Sequence, residues 1–548
     1  MKNFKTTLIL MVSFLIFHSA AIAQIDQTKI QNLLEKNFPA DQPGVTLLVA
    51  KDGNIIFKGA SGMANLELNI PMKVDHVLRI GSITKQFTAV AILMLQEQSK
   101  LNIQDDITKF IPDYPTNGKK ITVEHLLTHT SGIQSYTEIP GFMANHLRGD
   151  KTVEEMMDFF KNNPMSFSPG EKFQYNNSGY FLLGVIIEKV SGMTYGDFVE
   201  QNIFQKIGMK NSFYDSENKV IPNRVSGYEM DGGQIINAPY LSSTIPYAAG
   251  SLISTVEDLY KWNQAIHNYT LIKKESLEKA LTPFTLNDGE STEYGYGWGI
   301  KNFFNEKSFQ HSGGINGFVS NAMYLPEQNL FVAAFSNGKG PQFLTDIVAA
   351  QILEKYPEVK KKSLTKEQMA EYVGIYKVEN ATNHQRTIQI KDDHLTSLRT
   401  GGDRHNLYAF EKDKFYFEHT LEIFEFKRDK NGKVLGMLAH LPNGKKGRAI
   451  KSDEKPIQRK EVQLDEKILQ QYVGKYEVEP GFFLVFTIEK GKFWIAPTGD
   501  KKLRVFAEGD HKFFLKDADA FLEFVQEENN FKTVKVNLGG QKIIGKKI

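Results

Sequence analysis

The sequence predicts an α+β domain followed by two small all-β, barrel-like domains. Its 548 residues exceed one ordinary domain, and 41% hydrophobic with 24% charged residues are values typical of globular proteins. Residues 24–357 have strand patterns at both ends of a largely helical middle, which favours one antiparallel sheet flanked by helices. After a lysine-rich linker, one strand pattern occurs twice, over 364–450 and 464–548. These spans are the predicted domains.

The elements of the first domain follow from periodicity and turn signals. An Asp-Gly turn at Asp52 joins two apolar strand patterns, 44–50 and 55–59. Residues 87–95 are apolar except for one threonine and lack glycine and proline, which predicts a helix buried on all sides. The remaining predicted elements are a helix over 25–38, a helix over 180–190, strands between 309 and 335, and a helix over 343–356.

The C-terminal half contains an internal repeat. Residues 371–378 match 471–478 at an offset of 100, and 414–416 match 512–514 at an offset of 98. Nearly constant spacing at several places indicates a duplicated domain. Each copy has short alternating segments between turns, as in small antiparallel barrels or sandwiches. We expect aromatic residues such as Phe415 to fill these barrels rather than to bind sugars.

The first 23 residues have the pattern of an export signal. Lys2 and Lys5 precede the apolar stretch 8–17, and an A-x-A tripeptide ends at Ala23. A charged start, a short apolar middle and small residues at the end are typical of a cleavable signal peptide. We therefore expect cleavage after Ala23 and a periplasmic or secreted protein. An uncleaved anchor is the alternative, although ten residues are short for a bilayer span.

Composition excludes several classes of protein. Outside the first 23 residues, the numbers of positive and negative side chains are equal. The chain therefore lacks the excess of basic residues that is typical of nucleic-acid-binding proteins. The absence of cysteine excludes disulfides, thiolate metal sites and a lipid-modified N-terminal cysteine. His125 and His129 have the spacing of a zinc helix but lack the H-E-x-x-H pattern. We therefore expect no metal and no cofactor.

Candidate chemistry begins with Ser82 and Lys85, just before the buried helix 87–95. Residues three apart share one face of a helical turn, and a helix start favours negative charge. A hydroxyl that must lose its proton is thereby placed beside an amine that can accept it, if burial keeps that amine partly neutral. S-x-x-K is also frequent by chance, so a serine cap followed by a solvated lysine is the alternative.

A second polar segment, Tyr175-Asn176-Asn177, precedes the predicted helix 180–190. The Tyr175 phenol could pass a proton to a leaving group. The Asn177 amide could hold both Lys85 and a substrate carbonyl. A turn that caps the helix is the alternative for this segment.

The third segment, His311-Ser312-Gly313-Gly314, follows a strand-like sequence. Its small residues would let a substrate lie along a strand edge. The backbone N–H of Gly314 could then pair with the N–H of Ser82 as an oxyanion hole. A glycine-rich bend at the start of a hairpin is the alternative.

Together, Ser82-x-x-Lys85, Tyr175-x-Asn177 and His311-Ser312-Gly313 resemble the three motifs of the serine β-lactamase and penicillin-binding-protein superfamily. The similarity is closest to the class C-like branch of D-alanyl-D-alanine carboxypeptidases, D-aminopeptidases and esterases, and it covers about residues 28–356. The resemblance implies Ser82 as the acylated nucleophile, Lys85 as its partner base, Tyr175 as general base and acid, Asn177 as a contact to the substrate amide, His311, Ser312 and Gly313 as the lining of the strand-edge site, and Ser82 with Gly314 as the oxyanion hole.

The repeat adds to this resemblance. Some D-aminopeptidase-like members carry two lipocalin-like barrel domains after the catalytic domain, and the last of them can approach the active site. The predicted three-domain layout is similar.

One departure from the family pattern bears on the substrate. Dedicated β-lactamases of this branch usually have Lys-Thr-Gly where this chain has His311-Ser312-Gly313. Histidine carries less positive charge at neutral pH, so a strong preference for a substrate carboxylate is not expected.

We therefore expect an exported serine hydrolase that acts through an acyl-enzyme on small amides or esters. Peptides containing D-amino acids, including fragments of peptidoglycan, are the first expected substrates. An esterase or a weak β-lactamase is one alternative. A non-catalytic protein that binds penicillin or cell-wall fragments is another.

Overall fold

The structure is a computed structural model of the chain. It describes residues 27–139, 141–231, 234–338, 340–355, 361–379, 384–391, 393–402, 404–417, 420–456, 459–479, 482–498, 502–527, 530–538 and 541–548. The predicted signal peptide, 1–23, and its cleavage position lie outside the described residues.

An antiparallel sheet of six strands forms the centre of the first domain, and helices cover both of its faces. Its helices are α1 (Gln27–Asn37), α2 (Thr84–Glu97), α3 (Val123–Leu127), α4 (Phe142–Asn145), α5 (Val153–Phe160), α6 (Asn177–Ser191), α7 (Tyr195–Val199), α8 (Gln205–Ile207), α9 (Val256–His267), α10 (Lys274–Ala280) and α11 (Gln342–Ile352). Its strands are β1 (Val45–Lys51), β2 (Asn54–Ser61), β3 (Met63–Asn65), β4 (Ile70–Pro71), β5 (Leu78–Arg79), β6 (Phe213–Tyr214), β7 (Tyr228–Asp231), β8 (Gln234–Asn237), β9 (Leu252–Ser254), β10 (Gly299–Phe303), β11 (Glu306–Ile315), β12 (Phe318–Leu325) and β13 (Leu330–Ser336).

Strands from both ends of the domain meet in the central sheet. The strand order is β10-β11-β12-β13-β1-β2, and Val45 of β1 pairs with Ser336 of β13. Asp52 and Gly53, both with positive φ, form the predicted turn between β1 and β2. Smaller sheets, β3-β4, β5-β9-β6 and β7-β8, lie outside the central one. The predicted α+β class is confirmed.

Alternation along β1 divides the core into two layers. Leu47 packs towards α1 and α11, whereas Leu48 packs towards the larger cluster that contains α2 and α6. Every residue of α2 from Thr84 to Leu95 is buried, as its apolar run predicts. The Phe87 ring stacks on Trp262 with 4.0 Å between their centroids. The start of α2 is therefore held inside the larger cluster.

Helix α6 begins three residues before its predicted start at 180. The Asn176 side chain accepts a hydrogen bond from the Gly179 N–H at 2.8 Å, which caps the helix one residue before Asn177. The alternative, a turn that caps the helix, is therefore confirmed for Asn176 but does not account for Asn177. Asn176 is the cap, and Asn177 is left to project from the first turn.

Two closed barrels of eight antiparallel strands follow the first domain. The first contains α12 (Lys366–Ala370), β14 (Gly374–Val378), β15 (Gln385–Lys391), β16 (His394–Arg399), β17 (Arg404–Glu411), β18 (Lys414–Phe417), β19 (Ile423–Arg428), β20 (Val434–His440) and β21 (Lys446–Lys451). The second contains α13 (Glu466–Leu469), β22 (Gly474–Glu479), β23 (Phe482–Glu489), β24 (Lys492–Pro497), β25 (Leu503–Gly509), β26 (Lys512–Leu515), β27 (Ala520–Glu527), β28 (Asn530–Leu538) and β29 (Gln541–Lys547). The two predicted all-β domains are confirmed as barrels, whereas the predicted domain boundaries stay predictions.

The two barrels repeat the same interior. The Tyr376 hydroxyl donates to the Tyr372 carbonyl at 2.7 Å, and its counterpart Tyr476 donates to the Tyr472 carbonyl at 3.1 Å. Phe415 of the first barrel is fully buried among aromatic rings, as Phe513 is in the second. These side chains fill the barrel interiors, which is the role expected for them.

Backbone hydrogen bonds connect the domains. The Phe304 N–H, in the turn between β10 and β11, donates to the Pro442 carbonyl of the first barrel. The Arg404 N–H of that barrel donates to the Asp517 carbonyl of the second at 2.9 Å. In the described residues, no helix combines the length and the apolar character needed to cross a bilayer.

We predict that Phe87→Ala destabilises the first domain by about 3–5 kcal/mol, because it opens a cavity beside Trp262 in a fully buried cluster. Differential scanning calorimetry should show one transition at lower temperature than in the wild type. Val220→Ala, at a side chain that is 96% exposed, is the control and should change stability by less than about 0.5 kcal/mol. Unfolding of Phe87→Ala at the wild-type temperature would contradict this packing.

Candidate active site

Ser82 lies where the polypeptide enters α2 beneath strand β11. It occupies a short 3-10 turn, Gly81–Ile83, directly before the helix. A β-carbon on Gly81 would stand 3.0 Å from the Gly314 backbone nitrogen, so this turn packs directly on the strand. Ser82 and Gly314 line the same cavity. The two residues predicted to form an oxyanion hole are therefore neighbours, and that role stays a prediction.

Lys85 is fully buried next to Ser82. Its Nζ lies 3.1 Å from Ser82 Oγ, 2.9 Å from Asn177 Oδ1 and 2.9 Å from the Ala249 carbonyl oxygen. Burial lowers the pKa of Lys85 well below its ordinary value of 10.5. No carboxylate pairs with this amine in the part of the chain that the structure describes. The environment therefore favours the neutral form.

A neutral amine at this position has a defined orientation. It has two N–H donors and one lone pair, and the two carbonyl oxygens of Asn177 and Ala249 can only accept hydrogen bonds. Once both N–H groups point to those oxygens, the lone pair remains for the third neighbour, the Ser82 hydroxyl. The geometry suits transfer of the Ser82 proton to Lys85.

Tyr175 lies next to the Lys85 amine, whose Nζ is 4.7 Å from the centre of the phenol ring. Its hydroxyl is buried and makes no hydrogen bond of normal geometry with any described residue. Burial raises the pKa of Tyr175, and the nearby Ser82 hydroxyl offsets part of that effect. The phenol therefore keeps its proton at neutral pH and is available as a donor.

Asn177 connects Lys85 to the wall of the cavity. Its carbonyl oxygen is occupied by Lys85, while its amide nitrogen donates to Thr137 Oγ1 at 3.2 Å. Its backbone N–H donates to Ser135 Oγ at 3.1 Å. Asn177 lines the cavity, so its amide nitrogen is the atom that could contact a substrate carbonyl.

The third motif lies within a strand, which excludes a bend at the start of a hairpin. Strand β10 pairs with β11 only as far as Gln310, so residues 311–315 pair with β12 on one side alone. Ser312 and Gly314 are exposed at this open part of the strand, and a β-carbon on Gly314 would meet open space. A β-carbon on Gly313 would stand only 2.0 Å from the Ile80 carbonyl oxygen. The strand thus contacts the Ser82 turn with no room for a side chain.

His311 is buried and neutral. Its Nδ1 donates to the Ser312 carbonyl at 2.6 Å, and its Nε2 accepts from the Tyr294 hydroxyl at 2.9 Å. Burial, followed by the effect of nearby Lys85, lowers the pKa of His311 to about 3, although the Ser312 carbonyl opposes this shift. The motif therefore provides no positive charge at neutral pH.

Three contributors to the site were missed by sequence reasoning. The Ala249 carbonyl holds Lys85, Tyr294 orients His311, and His129 packs beneath Tyr175 with 4.3 Å between ring centroids. His129 Nδ1 also accepts the Asn176 N–H at 3.0 Å. All three lie in segments with recognisable patterns, but no pattern specifies that a backbone carbonyl or a buried ring faces a particular amine.

The histidine pair with zinc-like spacing does not form a joint site. His125 Nδ1 accepts the Thr122 N–H as part of a helix cap, whereas His129 is buried against Tyr175. Among the residues that the structure describes, no three histidine or acidic side chains are placed to hold a metal ion.

A cavity of about 790 Å³ opens on one side of Ser82. Its walls come from the β11–β12 turn, the β7–β8 hairpin and the segments around Tyr136 and Ile245. Described lining residues all belong to the first domain, and Tyr175 and His311 are not among them. The cavity therefore extends from Ser82 towards the end of β11, away from the third motif.

Comparison with known proteins places this geometry in a family context. The Beta-lactamase family model matches residues 32–355, and a model described as a domain of unknown function matches residues 458–547. Penicillin-binding protein 4* of Bacillus subtilis (strain 168) is 28% identical over 430 residues, which are 73% of this chain and 92% of that protein. A D-aminopeptidase of Gluconobacter oxydans (strain 621H) is 26% identical over 328 residues, which are 58% of this chain and 59% of that protein.

A solved structure described as the octameric penicillin-binding protein homologue from Pyrococcus abyssi is also similar. It is 28% identical, with a TM-score of 0.56 over 78% of this chain and 100% of that one. The resemblance drawn from the three motifs is confirmed.

We predict that Gly313→Ala impairs acylation at Ser82, because the added β-carbon would displace the Ile80 carbonyl and the turn that follows it. Overpacking of this kind costs about 1–3 kcal/mol. The measurement is the rate of Ser82 adduct formation with a reactive ester, followed by intact mass. Gly509→Ala, where a β-carbon meets open space, is the matched control and should label at the wild-type rate. Equal labelling of both variants would show that the close contact is unimportant.

Proposed function

The chain belongs to the beta-lactamase family, and we propose that it is an exported serine hydrolase that opens small amides or esters through an acyl-enzyme on Ser82. One observation carries the proposal. The Ser82 hydroxyl lies 3.1 Å from a buried amine whose other two neighbours are carbonyl oxygens. This arrangement favours a neutral Lys85 with its lone pair towards the hydroxyl.

Acylation then proceeds by two proton transfers. Lys85 takes the Ser82 proton as Oγ bonds to the substrate carbonyl carbon, and the N–H groups of Ser82 and Gly314 stabilise the developing oxyanion. Tyr175 gives its proton to the leaving nitrogen or oxygen as that bond breaks, and the proton held by Lys85 replaces it. In deacylation a water molecule loses a proton to the same pair, attacks the acyl carbon and releases the acid, while Ser82 regains its proton.

Peptides or amides of D-amino acids are the first proposed substrates. The similarity to a D-aminopeptidase supports this choice, as does the neutral state of His311 at the third motif. A carboxylate at the leaving end would meet a neutral imidazole at His311 rather than a cation. The predicted signal peptide supports a periplasmic or secreted location.

A panel of four compounds tests the proposed reaction: a penicillin, a D-Ala-D-Ala peptide, a D-amino-acid anilide and a short-chain nitrophenyl ester. Turnover of the wild type is compared with that of Ser82→Ala, and intact mass detects a covalent adduct. We expect turnover of the anilide and the ester and an adduct that requires Ser82. The proposal fails if no compound turns over and no Ser82-dependent adduct forms. Turnover of the ester alone would assign an esterase.

We predict that Lys85→Arg lowers kcat/KM for the preferred substrate by about 100- to 10,000-fold, the usual contribution of a general base. The guanidinium stays protonated near neutral pH, so it has no lone pair to offer Ser82. Lys100→Arg, at an exposed position, is the control and should retain full activity. Activity of Lys85→Arg within threefold of the wild type would eliminate Lys85 as the base.

The pH profile provides an independent test. Because Lys85 must be neutral to accept a proton, kcat/KM should fall as pH drops through its lowered pKa and level off above it. With a neutral ester as substrate, the inflection should lie well below 10.5, the ordinary value for lysine. An inflection near the ordinary value would contradict the desolvated amine.

A further inference from the structure

Glu229 lines the cavity and has no role in the proposed bond-breaking steps. We propose that its carboxylate binds an ammonium group on the acyl part of the substrate, so that the enzyme prefers acyl groups with a free amine. This inference rests on the proposed function, because it assigns a substrate class to the same site.

The position of the cavity determines which part of a substrate occupies it. Tyr175, the proposed donor to the leaving group, does not line the cavity, and neither does His311. The cavity instead begins at Ser82 and Gly314 and follows the polypeptide to Val319. A scissile carbonyl in the predicted oxyanion hole would direct its leaving group towards Tyr175. The acyl part would then enter the cavity.

The cavity is apolar and has a single charge. Glu229 is the one charged side chain among the described residues that line it, and no ion pair between described residues involves Glu229. Met230, Ile235, Leu241 and Phe318 provide an apolar wall around it. A carboxylate beside apolar surface favours a cationic group over a neutral one, and it disfavours an anion.

The carboxylate is held at the end of the strand edge. Its Oε1 accepts the Gly317 N–H at 3.1 Å. Gly317 follows Gly314 by three residues, which span at most about 10 Å even when fully extended. An amine on the first or second residue of an acyl group that starts at Gly314 can therefore reach Glu229.

The β7–β8 hairpin that carries Glu229 is fixed from two directions. The Tyr228 hydroxyl accepts the Leu66 N–H at 2.8 Å, and Asn316 Nδ2 donates to the Pro239 carbonyl at 3.0 Å. A β-carbon on Gly317 would stand 2.7 Å from Gly227 Cα, so the β11–β12 turn packs closely on the hairpin. The carboxylate is thus positioned before any substrate arrives, which reduces the entropy lost on binding.

The competing explanation is that Glu229 only caps the turn through Gly317. Glu229→Gln separates the two roles, because a glutamine carbonyl can accept the same N–H while carrying no charge. A capping role predicts that this variant behaves like the wild type with every substrate. Recognition of an amine predicts a loss confined to substrates that carry one.

The test uses pairs of 4-nitroanilides whose acyl groups differ by one amine. The first pair is D-phenylalanyl and 3-phenylpropanoyl, and the second is glycyl-D-phenylalanyl and acetyl-D-phenylalanyl. Methyl esters of the same acyl groups replace the anilides if these are not cleaved. We expect the wild type to cleave the amine-bearing substrate faster than its partner in at least one pair. Glu229→Gln should reduce this ratio about tenfold, by slowing cleavage of the amine-bearing substrate and leaving its partner unchanged.

Two controls make the result specific. Glu67→Gln removes a nearby carboxylate that accepts from the Tyr228 hydroxyl and does not line the cavity, so it should leave the preference unchanged. In the wild type, the preference should decline above about pH 8, where an α-amine loses its proton. Taking the ratio within a pair cancels any pH effect of Lys85, which acts on both substrates.

The outcomes separate this inference from the proposed function. Ser82-dependent turnover with no amine preference, or with a preference that Glu229→Gln changes by less than twofold, overturns the role of Glu229 and leaves the hydrolase intact. Absence of Ser82-dependent turnover and of any Ser82 adduct, with every compound in both assays, overturns both.

Discussion

The burial of the Lys85 amine is the constraint on which the rest of the site depends. An ammonium group without a carboxylate partner is costly to remove from water, so the protein must satisfy this nitrogen with neutral acceptors. Those acceptors come from distant parts of the chain, Asn177 at the start of α6 and the carbonyl of Ala249 before β9. The helical middle of the domain must therefore be complete before Lys85 can be oriented. This dependence links the chemistry of one side chain to the packing of the whole first domain.

A second constraint is the close approach of backbone to backbone around Ser82. Gly313 meets the Ile80 carbonyl, Gly81 meets the Gly314 nitrogen, and a β-carbon on Gly297 would stand 2.9 Å from the Lys85 carbonyl oxygen. The short distances require glycine at Gly313 and Gly297, and the positive φ favours it at Gly81 and Gly297. The start of α2 is consequently clamped between β11 and the segment that carries Gly297. Ser82, the proposed nucleophile, would therefore lose little entropy on reaching the transition state.

Sequence reasoning found the parts of the site whose signals are local. Helical spacing predicted the Ser82 and Lys85 contact, and the offset of the repeat predicted two similar barrels. It could not find the Ala249 carbonyl, because every residue has one and only the fold selects which faces an amine. Nor could it single out Glu229, because the local sequence around a glutamate that lines a cavity does not differ from that around a solvent-exposed glutamate. Placing the start of α6 three residues too late was a local error, caused by reading the apolar run and overlooking the Asn176 cap.

The Ser82 end and the Glu229 end of the site belong to different structural elements. The proposed bond-breaking residues are therefore separate from the residue proposed to select the substrate. Ser82 and Lys85 belong to the buried core around α2, where any change of volume disturbs many neighbours. Glu229 lies on a two-stranded hairpin joined to that core through a turn and a few hydrogen bonds. A charge on the hairpin can therefore change without moving the Lys85 amine. The proposed acyl-enzyme chemistry can in this way be combined with different pockets, and the described residues that line the proposed acyl pocket here are mostly apolar, with Glu229 as their one charged side chain.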